Sequence, residues 1–235
     1  LIETGRTGSI TVTKYASADT SATKGEATGT NSDTVDTNYY TPLNGATFKL
    51  FKIADADAVM AYYNGTSTTT YSLEQFDYQA DGTAKYNNVS IDQACTWEGI
   101  TSGTGENAGK YTFSNLPIGI YVLKEVTAPH QIAAPLAEDS LISIPMVNTA
   151  SSSNNGNAEW MYDVYVYPKN HTSTGTVELT KVDQNNVPLE NVVFELYKKA
   201  NSELTTDDWK PVTDTTDNAG TSTQLTLKTD SEGKL

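Results

Sequence analysis

The feature that most constrains this chain is an internal repeat of strand-like segments. Gly8-Ser-Ile-Thr-Val-Thr-Lys14 returns as Gly175-Thr-Val-Glu-Leu-Thr-Lys181. Pro42-Leu-Asn-Gly-Ala-Thr-Phe-Lys-Leu-Phe-Lys52 returns as Pro188-Leu-Glu-Asn-Val-Val-Phe-Glu-Leu-Tyr-Lys198. Self-similarity of this kind marks copies of one structural unit. Each copy opens with a short strand, a connector and a second strand. The connector runs from Tyr15 to Thr41 in the first copy and is short in the second. Its Ser, Thr, Asp and Gly content marks the longer version as a surface insertion.

The first copy continues through a variable region, residues 54 to 110. Within it, Asp55 to Tyr63 and Leu73 to Gln79 are expected to form short helices. Strand signals return at Lys110 to Phe113, Gly119 to Val126, Leu141 to Val147 and Trp160 to Tyr167. Short strands with polar turns, and no alternation of strand and helix, argue for an all-β antiparallel sandwich. The polar stretch His171 to Thr174 divides the chain into residues 1–172 and 173–235. Gly233-Lys-Leu235 matches Gly109-Lys-Tyr111, so the counterpart of residues 112 to 170 is missing from the second copy. A half-sandwich exposes its core edge. The expectation is therefore a truncated second domain that continues beyond Leu235.

Strand parity singles out a few polar residues, because alternate side chains share a face. Lys14 is in line with Ile10 and Val12, and Lys181 with Val177 and Leu179. A lysine among aliphatic side chains needs a partner or a depressed pKa, unless it snorkels from the strand end to water. Glu125 shares a face with Tyr121 and Leu123, although an ordinary surface glutamate at a strand end has the same parity. In Trp160-Met-Tyr-Asp-Val-Tyr-Val-Tyr-Pro-Lys-Asn170, Asn170 has the parity of Trp160, Val164 and Val166. If extended geometry persists past Pro168, Asn170 points inward and Lys169 outward.

These segments resemble the backbone pilins of sortase-assembled Gram-positive pili, built of Cna B-type domains. Tyr167-Pro168-Lys169 is similar to the core of the pilin motif, and Tyr121 to Pro129 to the E-box, with Glu125 as its glutamate. Lys14 and Lys181 match the first-strand lysine of Cna B-type domains. The resemblance covers the first copy end to end and the opening half of the second. It implies a transthyretin-like, reversed immunoglobulin sandwich with inserted loops and short helices, followed by a partial second one. It further implies an autocatalytic isopeptide bond between Lys14 and Asn170, with Glu125 as the proton shuttle. Lys169 would be the sortase acceptor, and Lys181 would react with an asparagine beyond the chain end. The implied partners are other copies of the same pilin, joined covalently through Lys169, a pilus-specific sortase, ancillary pilins and host surface ligands. The implied location is the cell wall, outside the cell.

The remaining composition fits this reading. A net charge of −14 repels phosphate backbones, so no nucleic-acid partner is expected. The single cysteine, Cys95, excludes an intrachain disulfide; an internal thioester between it and a glutamine is the less favoured alternative to a semi-buried thiol. No cofactor or metal is expected, since His130 and His171 lack metal-ligand spacing. Asp183, Asn185 and Asn186 suit a polar turn as well as a cation site. No signal peptide stands at Leu1 and no sorting tail at Leu235, so a processed or truncated form is expected. A competing reading is an adhesin whose inserted regions present Tyr62, Tyr63, Tyr71, Tyr78 and Trp97 to a host ligand. A conventional enzyme is not expected, for no nucleophile-elbow or phosphate-loop pattern is present.

Overall fold

Alternating Ile10, Val12 and their neighbours build a strand because β-branched side chains pack well on one pleated face. In the computed structural model this strand is β1 (Gly8–Thr13), followed after Lys14 by β2 (Tyr15–Ser17). The structure describes residues 2–19, 28–129, 136–148, 159–172, 178–199, 209–211, 213–214, 223–224 and 226–235. Two compact units divide the chain, Leu1–Thr174 and Gly175–Leu235.

In the first unit β3 (Thr41–Pro42) and β4 (Thr47–Ala54) precede α1 (Ala56–Tyr63). The inserted region then forms β5 (Phe76–Tyr78), β6 (Ala84–Tyr86), β7 (Val89–Ser90) and β8 (Thr96–Ile100). After it come β9 (Lys110–Leu116), β10 (Gly119–Thr127), β11 (Ser140–Ile144) and β12 (Met146–Val147). The unit closes with β13 (Trp160–Met161), β14 (Asp163–Val166) and β15 (Lys169–His171). One sheet has the order β14-β1-β9 and another β11-β10-β4-β8. Their inward residues share one core: Ile10, Val12, Phe113 and Val164 from the first, and Phe48, Leu50, Tyr121, Leu123 and Ile142 from the second.

Two pairings depart from the expected antiparallel plan. β1 runs parallel to β14, and β2 parallel to β15. Parallel neighbours need a long crossover, and here nearly the whole unit supplies it, since the two pairs join its first two strands to its last two. The expected helix at Asp55 to Tyr63 is α1, capped where Asp55 accepts a hydrogen bond from the Ala58 amide. The helix expected over Leu73 to Gln79 is instead one 3-10 turn, Leu73–Gln75, leading into β5. Phe76 and Tyr78 alternate with Asp77 and pair with β6, a period-2 arrangement that overrides the weak helical signal.

That inserted hairpin explains why β4 and β10 are buried on both faces. Phe51, on the outer side, meets Phe76 at 5.3 Å and Tyr78 at 6.0 Å between ring centroids. Trp97 packs on Tyr121, Tyr71 stacks on Tyr86, and Tyr63 stands edge-on to Trp160 at 4.6 Å. Of the five aromatics considered as ligand contacts, only Tyr62 is mainly exposed, at 59%. The insertion is therefore held by aromatic packing on the scaffold. The described part of the long connector packs too: the Tyr165 amide donates to Gly29 O, and Tyr40 is buried.

The second unit contains β16 (Val193–Glu195), β17 (Tyr197–Lys199), β18 (Trp209–Pro211), β19 (Thr213–Asp214), β20 (Thr223–Gln224) and β21 (Thr226–Lys228). Its described strands form two-stranded sheets only, β16-β21, β17-β18 and β19-β20. Leu179 and Lys181 are half-buried while Glu178 and Thr180 are exposed, the alternation expected of a strand whose inner face is incompletely covered. Val177 and His130 lie outside the described residues.

Candidate functional site

The parallel pairing of first and last strands decides what faces the lysine. β1 aligns Val12 with Val166, and β2 aligns Tyr15 with Lys169. The register is thus unbroken across Pro168, which lacks an N–H and interrupts the ladder between β14 and β15. The Tyr15 amide donates to Pro168 O at 2.9 Å, closing the gap. Lys14 and Ala16 share a face, and Asn170 is opposite Ala16. Asn170 is therefore the diagonal neighbour of Lys14 on the buried side.

Glu125 arrives from the other sheet. β10 aligns Glu125 with Phe48, two residues beyond the buried Leu123 and so on the same face. Lys14, Glu125 and Asn170 are 0%, 1% and 4% exposed, so none snorkels to water. Lys14 Nζ donates to Glu125 Oε2 at 2.9 Å and also to Asn170 Oδ1. Glu125 Oε2 accepts a second hydrogen bond from the Ala137 amide at 2.6 Å. The Phe48 ring centroid is 5.9 Å from Lys14 Nζ. Among the described residues, Glu125 Oε1 is buried with no hydrogen-bond partner. An amine, a carboxyl and a carboxamide thus meet inside an apolar core, where desolvation disfavours charge and each polar group needs its neighbours.

Lys169 has a different setting. It is half-buried beside the buried Asn170, the alternation of a short strand. Its amine donates to Tyr167 O at 3.1 Å and lies 5.9 Å from the Tyr40 ring centroid. It is thus less outward than parity alone suggests. Burial pushes the phenols of Tyr15, Tyr40 and Tyr167 up, with Asp19 adding at Tyr40 and Asp33 at Tyr167.

In the second unit Lys181 is half-buried and its amine donates to Val182 O at 3.3 Å. The Asp183 turn is closed on itself: Asp183 Oδ1 accepts from the Asn185 and Val187 amides at 2.8 and 2.9 Å. The Val187 and Asn185 amides hold this carboxyl below the usual carboxylate range. An Asx turn accounts for these residues. No cluster of three or more His, Cys, Asp or Glu able to hold a metal occurs among the described residues. Cys95 is a half-buried free thiol.

Sequence reasoning did not anticipate the Ala137 amide, which carries no side-chain signal. It also missed the backbone frame around Lys14. The Lys14 amide donates to Gly109 O and Lys14 O accepts from the Leu43 amide, both at 2.8 Å. Gly109 has φ +72°, and a Cβ there would lie 2.7 Å from Lys14 O. Only glycine fits such an approach without strain.

A buried amine, carboxyl and carboxamide meet in the core of this mostly β unit, and comparison with known proteins gives its family. Residues 5–171 match the family of the Gram-positive pilin subunit D1, N-terminal domain, and residues 175–234 match a prealbumin-like fold domain. The chain belongs to this Gram-positive pilin family. It is 29% identical over 150 residues to a type 2 fimbrial subunit of Actinomyces naeslundii, covering 55% of this chain and 27% of that protein. It is 32% identical over 81 residues to a type 1 fimbrial subunit of Actinomyces viscosus, covering 34% of this chain and 14% of that protein. The chain thus spans well under a third of either relative. Among solved structures it is similar to the full-length major pilin SpaD of Corynebacterium diphtheriae (TM-score 0.47, 30% identity, 73% of this chain and 34% of that one). It is also similar to the shaft pilin SpaA of Lactobacillus rhamnosus GG (TM-score 0.44, 18% identity, 97% and 81%).

Proposed function

We propose that this chain is part of a shaft subunit of a covalently polymerised pilus, exported and held at the cell wall. Family membership supports the structural role. In this reading the first unit is a Cna B-type, reversed immunoglobulin sandwich, and residues from 173 onward are the opening half of a second one. The observation that carries the reading is the convergence of Lys14, Glu125 and Asn170 in the core.

The chemistry follows from that contact. Neutral Lys14 Nζ attacks Asn170 Cγ, the Cγ–Nδ2 bond breaks, and Nδ2 leaves as ammonia. Burial favours the neutral amine that the attack requires. Glu125 moves the proton from Nζ to the departing nitrogen. The fold holds amine and carboxamide in contact, which replaces a bimolecular encounter. Each molecule reacts once, so the chain modifies itself and turns nothing over. Lys169 is the amine that a sortase joins to the carboxyl end of another copy, and ancillary pilins and host ligands are the further partners. Lys181 is the corresponding lysine of the second domain, with its asparagine partner past residue 235.

Intact-mass measurement of the purified chain tests the cross-link. The expected mass is that of the sequence less one ammonia, and Lys14→Ala, Glu125→Ala and Asn170→Ala should each restore the full mass. A folded wild-type chain with the full sequence mass refutes the assignment.

A further inference from the structure

The surroundings of Lys14 recur around Lys181 in a detail that the sequence repeat does not reveal. Thr101, just after β8, is 1% exposed and makes four hydrogen bonds to one loop. Its Oγ1 donates to Leu43 O at 2.9 Å and accepts from the Ala46 amide at 3.1 Å. Its amide donates to Ala46 O at 2.9 Å, and its carbonyl accepts from the Gly45 amide at 2.7 Å. Leu43, so held, donates its own amide to Lys14 O.

Thr229, just after β21 and 2% exposed, repeats every element of this clip. Its Oγ1 donates to Leu189 O at 2.7 Å and accepts from the Val192 amide at 2.9 Å. Its amide donates to Val192 O at 3.0 Å, and its carbonyl accepts from the Asn191 amide at 2.9 Å. The Leu189 amide then donates to Lys181 O at 2.9 Å, and the Lys181 amide donates to Gly233 O at 2.7 Å. Gly45 and Asn191 share a left-handed conformation, φ +86° and +65°, and Gly109 and Gly233 share φ +72° and +73°. The clip residues are adjacent in space but not in a fixed sequence spacing: eight positions separate Thr101 from Gly109, and four separate Thr229 from Gly233.

We propose that Thr101 is a positioning residue for Lys14, and Thr229 for Lys181. Each threonine fixes a loop that grips the lysine carbonyl, while the glycine carbonyl grips the lysine amide. Gripped on both sides between β1 and β2, the Lys14 backbone is immobilised, and its long side chain enters the core from a fixed root; the Lys181 backbone is gripped in the same way. The inference deepens the cross-link reading and rests on it. Three observations carry it: the threonine is buried, its bonds are spent on one loop, and both units keep the whole set. A small displacement of a reacting group costs roughly 100-fold in rate, so a loosened root should slow the attack on Asn170.

The test is the time course of ammonia loss, read by intact mass on the full chain made in a cell-free pulse. Thr101→Val keeps the shape and deletes the hydroxyl. It should slow the loss by at least about tenfold, while circular dichroism remains that of the wild type. Thr101→Ser restores the hydroxyl and should restore the rate. Amide exchange at Leu43 should rise in Thr101→Val, and exchange at Leu189 should rise in Thr229→Val with the ammonia loss unchanged. If Thr101→Val does not fold, Thr101→Ala, which adds no methyl group, is read in the same way. A folded hydroxyl-less variant that cross-links at the wild-type rate, or a serine variant as slow as valine, overturns the positioning role alone. A wild-type chain that loses no ammonia overturns the cross-link reading, and the positioning role with it.

Discussion

Asn170→Ala isolates the worth of the proposed cross-link. The bond from Lys14 to Asn170 closes a loop of 156 positions. In the chain-entropy treatment used for disulfides, closing a loop of that size stabilises the folded state by about 5 kcal/mol, because the unfolded chain loses conformations. At roughly 2–4 °C per kcal/mol for a chain of this length, the unlinked variant should melt about 10–20 °C below the wild type. A local effect adds to this, since Lys14 Nζ loses the acceptor Asn170 Oδ1 and keeps Glu125. Lys14→Met prevents the link from the other side. It forfeits the same loop closure but deletes the amine instead of the carboxamide, so both variants should fall into the same range. Calorimetry on samples first checked by intact mass gives the comparison. A wild type that has lost ammonia, yet melts within about 3 °C of a fully unlinked Asn170→Ala, refutes the loop-closure argument.

Three further outcomes follow from the same geometry. Under the proposed function, denaturing gels of cell-wall extracts should show a covalent ladder for the wild type and none for Lys169→Ala, whose monomer should still fold and lose one ammonia; a normal ladder rules out the acceptor role. Gly109→Ala puts a Cβ against Lys14 O at a positive φ and should destabilise by about 1–3 kcal/mol in denaturant titration; an unchanged midpoint contradicts the backbone frame. Asp33 is pushed up by burial, but hydrogen bonds from the Thr28 side chain and the Thr28 and Gly29 amides outweigh this and leave its carboxyl below the usual range. A folded-state value below the unfolded one stabilises above about pH 4. That contribution fades as pH falls through the folded value, so acid unfolding of wild type and Asp33→Asn should converge at low pH and diverge toward neutrality.

Strand parity was enough to bring Lys14, Glu125 and Asn170 to notice, because each interrupts an apolar face and alternation is local. Parity alone does not show their meeting, which depends on β1 pairing parallel to β14, and register between distant strands has no local signal; only the family resemblance implied it. The helix expected over Leu73 to Gln79 gives way to a 3-10 turn and β5 because a strand of three residues carries too little alternation to outweigh a helical signal. The threonine clip was hidden for a related reason. Thr101 and Thr229 hold equivalent positions in space, but the segments linking them to Gly109 and Gly233 differ in length, so an aligned repeat slides past them. The two lysine-bearing segments, by contrast, align without a gap: Gly8, Thr13 and Lys14 return as Gly175, Thr180 and Lys181, with apolar residues at the alternate positions between.

The adjacency of Lys169 and Asn170 has a mechanical consequence. If neighbouring subunits are joined at Lys169, a stretched fibre tugs on this side chain and on the backbone leaving His171. The load then passes through a strand only three residues long, Lys169–His171, held on one side by Tyr15–Ser17. Hydrogen bonds of so short a ribbon peel one after another under tension. The proposed bond from Asn170 to Lys14 would sit one residue from that point of attachment and act as a rivet, fastening the towed strand to the base of the first.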